Sequence, residues 1–210
     1  MEEGEEGGIL LKLNFEKAYD SVDHKFLDLC MEGMGFGEKW RGWIHHCVSS
    51  PKISVLVNGS PTREFGVGRG LRQGDPLSSF LFNMVVKVLS KMLLKARDLN
   101  LFKGKVFGGN QITHLQFADD TLLFLDAKEE SVVNVRHVLR CFEIRSGLKI
   151  NFHKSGMVKI GKDSCPMDRW ASLFRCQKAS LPILYLGLPL GGNPNRLGLG
   201  SLCWREFDLG

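Results

Sequence analysis

Two adjacent carboxylates, Asp119-Asp120, sit between the apolar runs Leu115-Gln116-Phe117 and Leu122-Leu123-Phe124. Carboxylates aimed into one site raise each other's pKa unless a cation lies between them. Oxygen-only ligands at a turn suit Mg²⁺. The same dipeptide also serves as a plain exposed turn, so the pair alone leaves both readings open. A second stretch runs Gly68-Arg69-Gly70-Leu71-Arg72-Gln73-Gly74-Asp75-Pro76-Leu77-Ser78. Its glycines let the backbone approach a ligand, and Arg69, Arg72 and Gln73 offer donors to phosphates or base edges. It is not a P-loop, because no Gly-Lys-Ser/Thr follows, and it lacks the G-x-G-x-x-G spacing.

The elements that must position these groups are legible in outline. Ile9–Phe15 has strand character. Asp20-Ser21 is expected to open a helix striped by Val22, Phe26, Leu29, Cys30 and Met34, with Gly35 ending it. A second helix is expected over Glu38–Val48. Lys52–Val57 and Thr62–Val67 read as strands about an Asn58-Gly59 hairpin. Ser78–Asp98 is a helix, apolar nearly all round at its start and so placed in the core. Ile112–Phe117 and Thr121–Leu125 are strands joined through the acidic bend. Asp126 with Glu129 forms a capping box for a helix striped by Val132, Val135, Leu139 and Phe142, which Gly147 stops. Lys149–Ile160 reads as a strand pair or an extended segment, Met167–Phe174 as a short helix and Ile183–Leu188 as a last strand. The order predicts an α+β fold, an antiparallel sheet of about four strands backed by helices, rather than a doubly wound parallel one.

Composition narrows the class. The chain of 210 residues is 43% hydrophobic and 24% charged, which suits a folded domain and excludes wholesale disorder. The apolar region Phe80–Leu94 is interrupted by Asn83, Lys87, Ser90 and Lys91, so no membrane partner is expected. The acidic, glycine-rich start, Met1–Gly8, has neither signal- nor transit-peptide character. The six cysteines show no C-x-x-C spacing and are read as reduced thiols, with no structural metal expected. Net charge is +5, and it is concentrated: Arg140–Lys178 holds nine Lys/Arg against three Asp/Glu. That suits a nucleic-acid or polyphosphate partner, and a solvated basic surface equally.

Five segments stand in one order: Leu13-Asn14-Phe15-Glu16-Lys17-Ala18-Tyr19-Asp20, Gly70–Ser78, Phe117-Ala118-Asp119-Asp120, Gly147-Leu148-Lys149-Ile150-Asn151 with Lys154-Ser155, and Tyr185-Leu186-Gly187. Together they resemble palm motifs A to E of the reverse transcriptases of LINE-type non-LTR retrotransposons, with wording similar to plant copies. The resemblance covers residues 9–194. It implies a polymerase palm, RNA-templated DNA synthesis from deoxynucleoside triphosphates on a DNA primer, and a pair of Mg²⁺ ions. It also implies site roles. Asp119 would be a metal ligand, Asp120 its supporting carboxylate, and the Phe15 carbonyl a backbone ligand. Tyr19 would lie under the sugar, Arg72, Gln73 and Gly74 would line the nucleotide and template pocket, and Lys154 would neutralise or protonate pyrophosphate. As residues alone, Tyr19 reads equally as a core aromatic and Lys154 as a surface lysine.

The pattern is broken at the position that matters most. Motif A carries Asn14 where the family has its second metal-binding aspartate, and Glu16 is not expected to replace it. Ser79 and Lys87 stand where the family usually has proline and glutamate. All three changes are reachable by G-to-A or C-to-T transitions, as in a silenced, methylated copy. The sequence therefore predicts a catalytically dead domain over residues 9–194, with an acidic tail over 1–8, a degenerate tail over 195–210, and fingers and thumb incomplete. The alternatives are a non-catalytic nucleic-acid-binding remnant and an unselected open reading frame.

Overall fold

The computed structural model describes residues 7–161 and 165–191; the 195–210 tail lies outside them. The spine is β1 (Gly8–Glu16), which begins inside the stretch expected to be tail. Its side chains alternate between faces. Ile9, Leu11, Leu13 and Phe15 enter the main core, each at 3% exposure or less, while Leu10, Lys12 and Asn14 take the opposite face.

After a helical turn, α1 (Ala18–Ser21), come α2 (His24–Gly33) and α3 (Glu38–Ser49). Helix α2 starts later than expected. Asp23 caps it, accepting from Lys25 N and Phe26 N, because a capping carboxylate must reach the free N–H groups of the first turn. The buried stripe is Phe26, Leu27, Cys30 and Met31, whereas Leu29 is 49% exposed. Four two-residue strands follow: β2 (Lys52–Ile53), β3 (Leu56–Val57), β4 (Ser60–Pro61) and β5 (Phe65–Gly66). They nest as one hairpin, β3 on β4 inside β2 on β5, turning at Asn58 and Gly59 with φ of 49° and 83°.

Helix α4 (Pro76–Asp98) begins just after the glycine loop with Asp75 as its cap and proline at its first position, where the missing N–H costs nothing. By length and composition it would pass for a membrane span, despite the interruptions seen in the sequence. Here it is the central packed helix, with Leu81, Phe82, Val85, Leu89 and Leu93 all buried. Hairpin β6 (Lys105–Phe107) and β7 (Asn110–Ile112) leads to β8 (His114–Phe117) and β9 (Asp120–Asp126). Helix α5 (Glu129–Ser146) buries the expected Val132, Val135, Leu139 and Phe142 and ends at Gly147 with φ 78°. The anticipated capping box does not form. Lys128 holds the cap position, and Asp126 Oδ1 instead accepts from Lys103 N at 3.0 Å.

The chain closes with β10 (Lys149–Ile150), β11 (Gly156–Ile160), α6 (Met167–Phe174), β12 (Gln177–Ala179), β13 (Ile183–Tyr185) and β14 (Leu188–Leu190). The main sheet has six strands in the order β12-β11-β1-β9-β8, with β10 also on β1. It is antiparallel except for β11 and β12. Helix α6 provides the crossover that a parallel pair requires. The expected last strand is a small hairpin, β13 on β14, folded at Leu186 and Gly187. Helices α2, α4, α5 and α6 cover one face of the sheet. The other carries a smaller cluster of Leu10, Leu122, Phe124, Val158 and Tyr185.

Candidate functional site

Three segments meet at the open end of β1. The register of β1 on β9 sets Asn14 opposite Asp120, and Phe117 pairs with Asp120 across the two-residue turn Ala118-Asp119. Ala118 takes φ 49°, an uncommon conformation for a residue with a Cβ, which keeps the bend tight. Asp120 is thus the first residue of β9 rather than part of the loop. Asn14 Nδ2 donates to Asp120 Oδ1 at 3.0 Å. The opposite amide orientation would press two oxygens together, so this contact fixes which way Asn14 points.

Neighbouring segments lock that corner. Asn14 O accepts from Asn151 N at 2.7 Å, and Ser155 Oγ donates to Asn151 O at 2.7 Å. The glycine loop docks on α1 and its C-terminal cap through Leu71 N to Tyr19 O at 2.7 Å and Gly70 N to Val22 O at 2.8 Å. Gly70 has φ 91°, and a Cβ there would lie 2.9 Å from Asp20 O, so only glycine fits both the turn and the approach. His24 Nε2 donates to Gly70 O at 2.8 Å. Gln73 Nε2 donates to Asp20 Oδ1 at 3.2 Å, and the Tyr19 ring stacks on Phe82 with centroids 4.6 Å apart.

These contacts enclose a cleft of about 540 Å³. Asn14, Phe15, Asp119 and Lys154 line it together with Tyr19, Gln73 and Gly74. Seven of the nine residues singled out in the sequence therefore share one cavity. Arg72 does not: it lines an adjoining cavity of about 940 Å³ with Lys52 and Arg69, and Gln73 lines both. Asp120 is also off the cleft wall and faces Asn14. Lys17 and Ser79 line the cleft and were not proposed as site residues; Lys17 lies within the motif A run, and Ser79 follows the glycine loop. Tyr185, 9% exposed, packs in the small cluster with Leu10 and Leu122. Burial first, and the Asp120 charge second, push its phenol above the ordinary tyrosine range.

The donor set is poor for cations. Among the described residues, no group of three or more His, Cys, Asp or Glu could hold a metal ion. Two carboxylates, an amide whose N–H faces one of them, and a backbone carbonyl do not fit a pair of dications, which need anionic oxygens in excess.

Residues 2–190 match the family model described as reverse transcriptase (RNA-dependent DNA polymerase). The chain belongs to that family. Its relatives include the Pol polyprotein of the type-1 retrotransposable element R2 of Popillia japonica, 32% identical over 83% of this chain and 24% of the relative. The type-2 element R2DM polyprotein of Drosophila melanogaster is 31% identical over 72% and 14%. This reverse transcriptase is thus of the non-LTR retrotransposon kind, and the chain spans about a quarter or less of those polyproteins. Candida tropicalis telomerase, solved with a fragment of telomeric RNA, superposes with a TM-score of 0.61 at 13% identity, covering 90% of this chain and 29% of that one. At that identity the likeness speaks for the fold, which is a polymerase palm. The family implies metal-dependent nucleotidyl transfer, against which the donor set around Asn14 is deficient.

Proposed function

We propose that this chain is the palm of a non-LTR retrotransposon reverse transcriptase in which templated nucleotidyl transfer is silenced at residue 14. The family chemistry is RNA-templated DNA synthesis on a primer from deoxynucleoside triphosphates, with Mg²⁺ as the metal. The reading is carried by one observation, the 3.0 Å contact from Asn14 Nδ2 to Asp120 Oδ1. An amide N–H satisfies the carboxylate that would otherwise draw a cation, and the site has one anion fewer to offer. The remaining parts suit substrate positioning. Tyr19, braced by Phe82, presents a flat surface for a sugar, Gln73 is oriented by Asp20, and Lys154 supplies a positive charge in the same cleft.

Positioning without charge stabilisation leaves most of the barrier in place. Each power of ten lost in rate corresponds to about 1.4 kcal/mol of transition-state stabilisation. The test is primer extension by an active R2-type enzyme whose palm is exchanged for residues 9–191 of this chain. With Asn14 the exchange should abolish extension, and Asn14→Asp should restore it by at least about two powers of ten. Equal rates from the two palms would refute the proposal. A second reading, RNA binding without catalysis, draws on Lys52, Arg69 and Arg72 around the larger cavity. Its mark is salt-sensitive RNA binding that survives Asp119→Ala.

A further inference from the structure

The peptide unit between Gly70 and Leu71 is gripped at both of its polar ends. Its N–H, on Leu71, donates to Tyr19 O at 2.7 Å, and its carbonyl, on Gly70, accepts from His24 Nε2 at 2.8 Å. His24 is 6% exposed and sits in the first turn of α2, behind the Asp23 cap. Asp23 holds the same loop a second time. It forms an isolated β-bridge with Arg69, whose Nε lies 3.8 Å from Asp23 Oδ2. Gly70 takes φ 91°, and a glycine has no side chain to oppose rotation of the peptide that follows it. The N–H and C=O of one peptide share a rigid plane. A rotation that frees the Gly70 carbonyl therefore also withdraws the Leu71 N–H from Tyr19. Tyr19, Gln73 and Gly74 line the 540 Å³ cleft, whereas His24 does not, so this peptide is its route to the site.

We propose that His24 is a positioning residue for the nucleotide: by holding the Gly70 carbonyl it fixes the Gly70–Leu71 peptide plane, and through that plane the placement of Tyr19 and Gln73 in the cleft. The identity of the ligand, a deoxynucleoside triphosphate, rests on the proposed function; the clamp on the loop rests on the hydrogen bonds. Contacts made alike to the bound nucleotide and to the transition state lower KM without raising kcat, so loosening them raises KM and leaves kcat nearly unchanged.

The palm exchange carrying Asn14→Asp provides the kinetic test. His24→Leu should raise KM for the deoxynucleoside triphosphate about tenfold, the effect of one lost buried hydrogen bond, and change kcat by no more than about twofold. His24→Gln keeps an N–H donor and should bring KM back to within about threefold of the parent. A histidine that only stabilised the fold would lower kcat through lost folded enzyme, with KM unmoved. Unchanged KM in His24→Leu, or equal KM in the leucine and glutamine variants, would overturn the proposal. Amide exchange in the chain itself keeps this test apart from that of residue 14. His24→Leu should speed exchange at Leu71 about tenfold or more and leave Leu11 and Leu123, paired across β1 and β9, as they are in the native chain. If Asn14→Asp restores no extension, the proposed function falls, and faster exchange confined to the loop still supports the clamp. Exchange at Leu71 equal to that of the native chain sinks the clamp whatever the polymerase does.

Discussion

The two faces of β1 are built from alternate residues of one strand and do opposite things. Ile9, Leu11, Leu13 and Phe15 are sealed under α2, α4 and α5, where they meet Leu81, Phe82, Leu123 and Phe142. Leu10, Lys12 and Asn14 face a thin cluster that leaves a polar corner and a cleft open. Burial on one face supplies the free energy that lets the other hold a cation without a partner acid and a carboxylate close to an amide. The comparison teaches that this palm separates stability from chemistry by the pleat of a single strand, so a substitution's effect depends on residue parity.

The largest expected effect lies on the sealed face. Leu11→Ala removes a fully buried side chain and should cost about 2–5 kcal/mol in denaturant unfolding. Lys12→Ala, one residue away, should cost no more than about 1 kcal/mol. Similar losses at both positions would dissolve the comparison. Next comes the glycine loop packed against α1. Gly70→Ala forces a Cβ against Asp20 O at φ 91° and should cost about 1–3 kcal/mol, with faster amide exchange at Leu71, whose N–H bonds Tyr19 O.

On the open face, Asn14→Asp replaces a hydrogen bond to a carboxylate with a pair of like charges. Without divalent ions it should lower stability by about 1–2 kcal/mol. Adding Mg²⁺ should recover that loss in thermal melts of the variant and shift the native chain little. A native chain that gains as much from Mg²⁺ would contradict the deficient donor set. The smallest effect is a pH dependence. His114 bonds Thr113 Oγ1 and Ser90 Oγ, and burial, then Lys87 and Arg97, hold its pKa below the ordinary 6.5. An imidazole depressed in the fold is protonated first in the unfolded chain, so its stability is present above pH 6.5 and is lost as pH falls below that value. Lys87→Glu exchanges a repelling charge for an attracting one, and urea titrations between pH 7 and 5 should show a shallower acid loss.

Much of the fold was visible in local patterns. A short apolar run marked β1, helical spacing marked α5, and Met167–Phe174 was placed to the residue. Errors came where two local signals competed. Asp20-Ser21 was expected to open α2, but those residues form the end of the short α1 and Asp23 caps α2 instead. Asp126 and Glu129 spell a capping box, but Lys103 N took the Asp126 carboxylate first. Strand β12 and its parallel pairing left no local trace, since three exposed residues, Gln177-Lys178-Ala179, carry no period. The cleft residues stood out by type and motif order, whereas the departure of Arg72 to another cavity did not.

By itself the sequence determined which residue types could meet and that one of them, Asn14, carries no charge. Those are properties of side chains, fixed before folding. Only the tertiary structure decided that the Asn14 amide turns its N–H to Asp120 and that Lys12 reaches the Leu184 carbonyl. Both depend on the register of β1 against β9 and β11, and a slip of one residue would send each side chain to the opposite face.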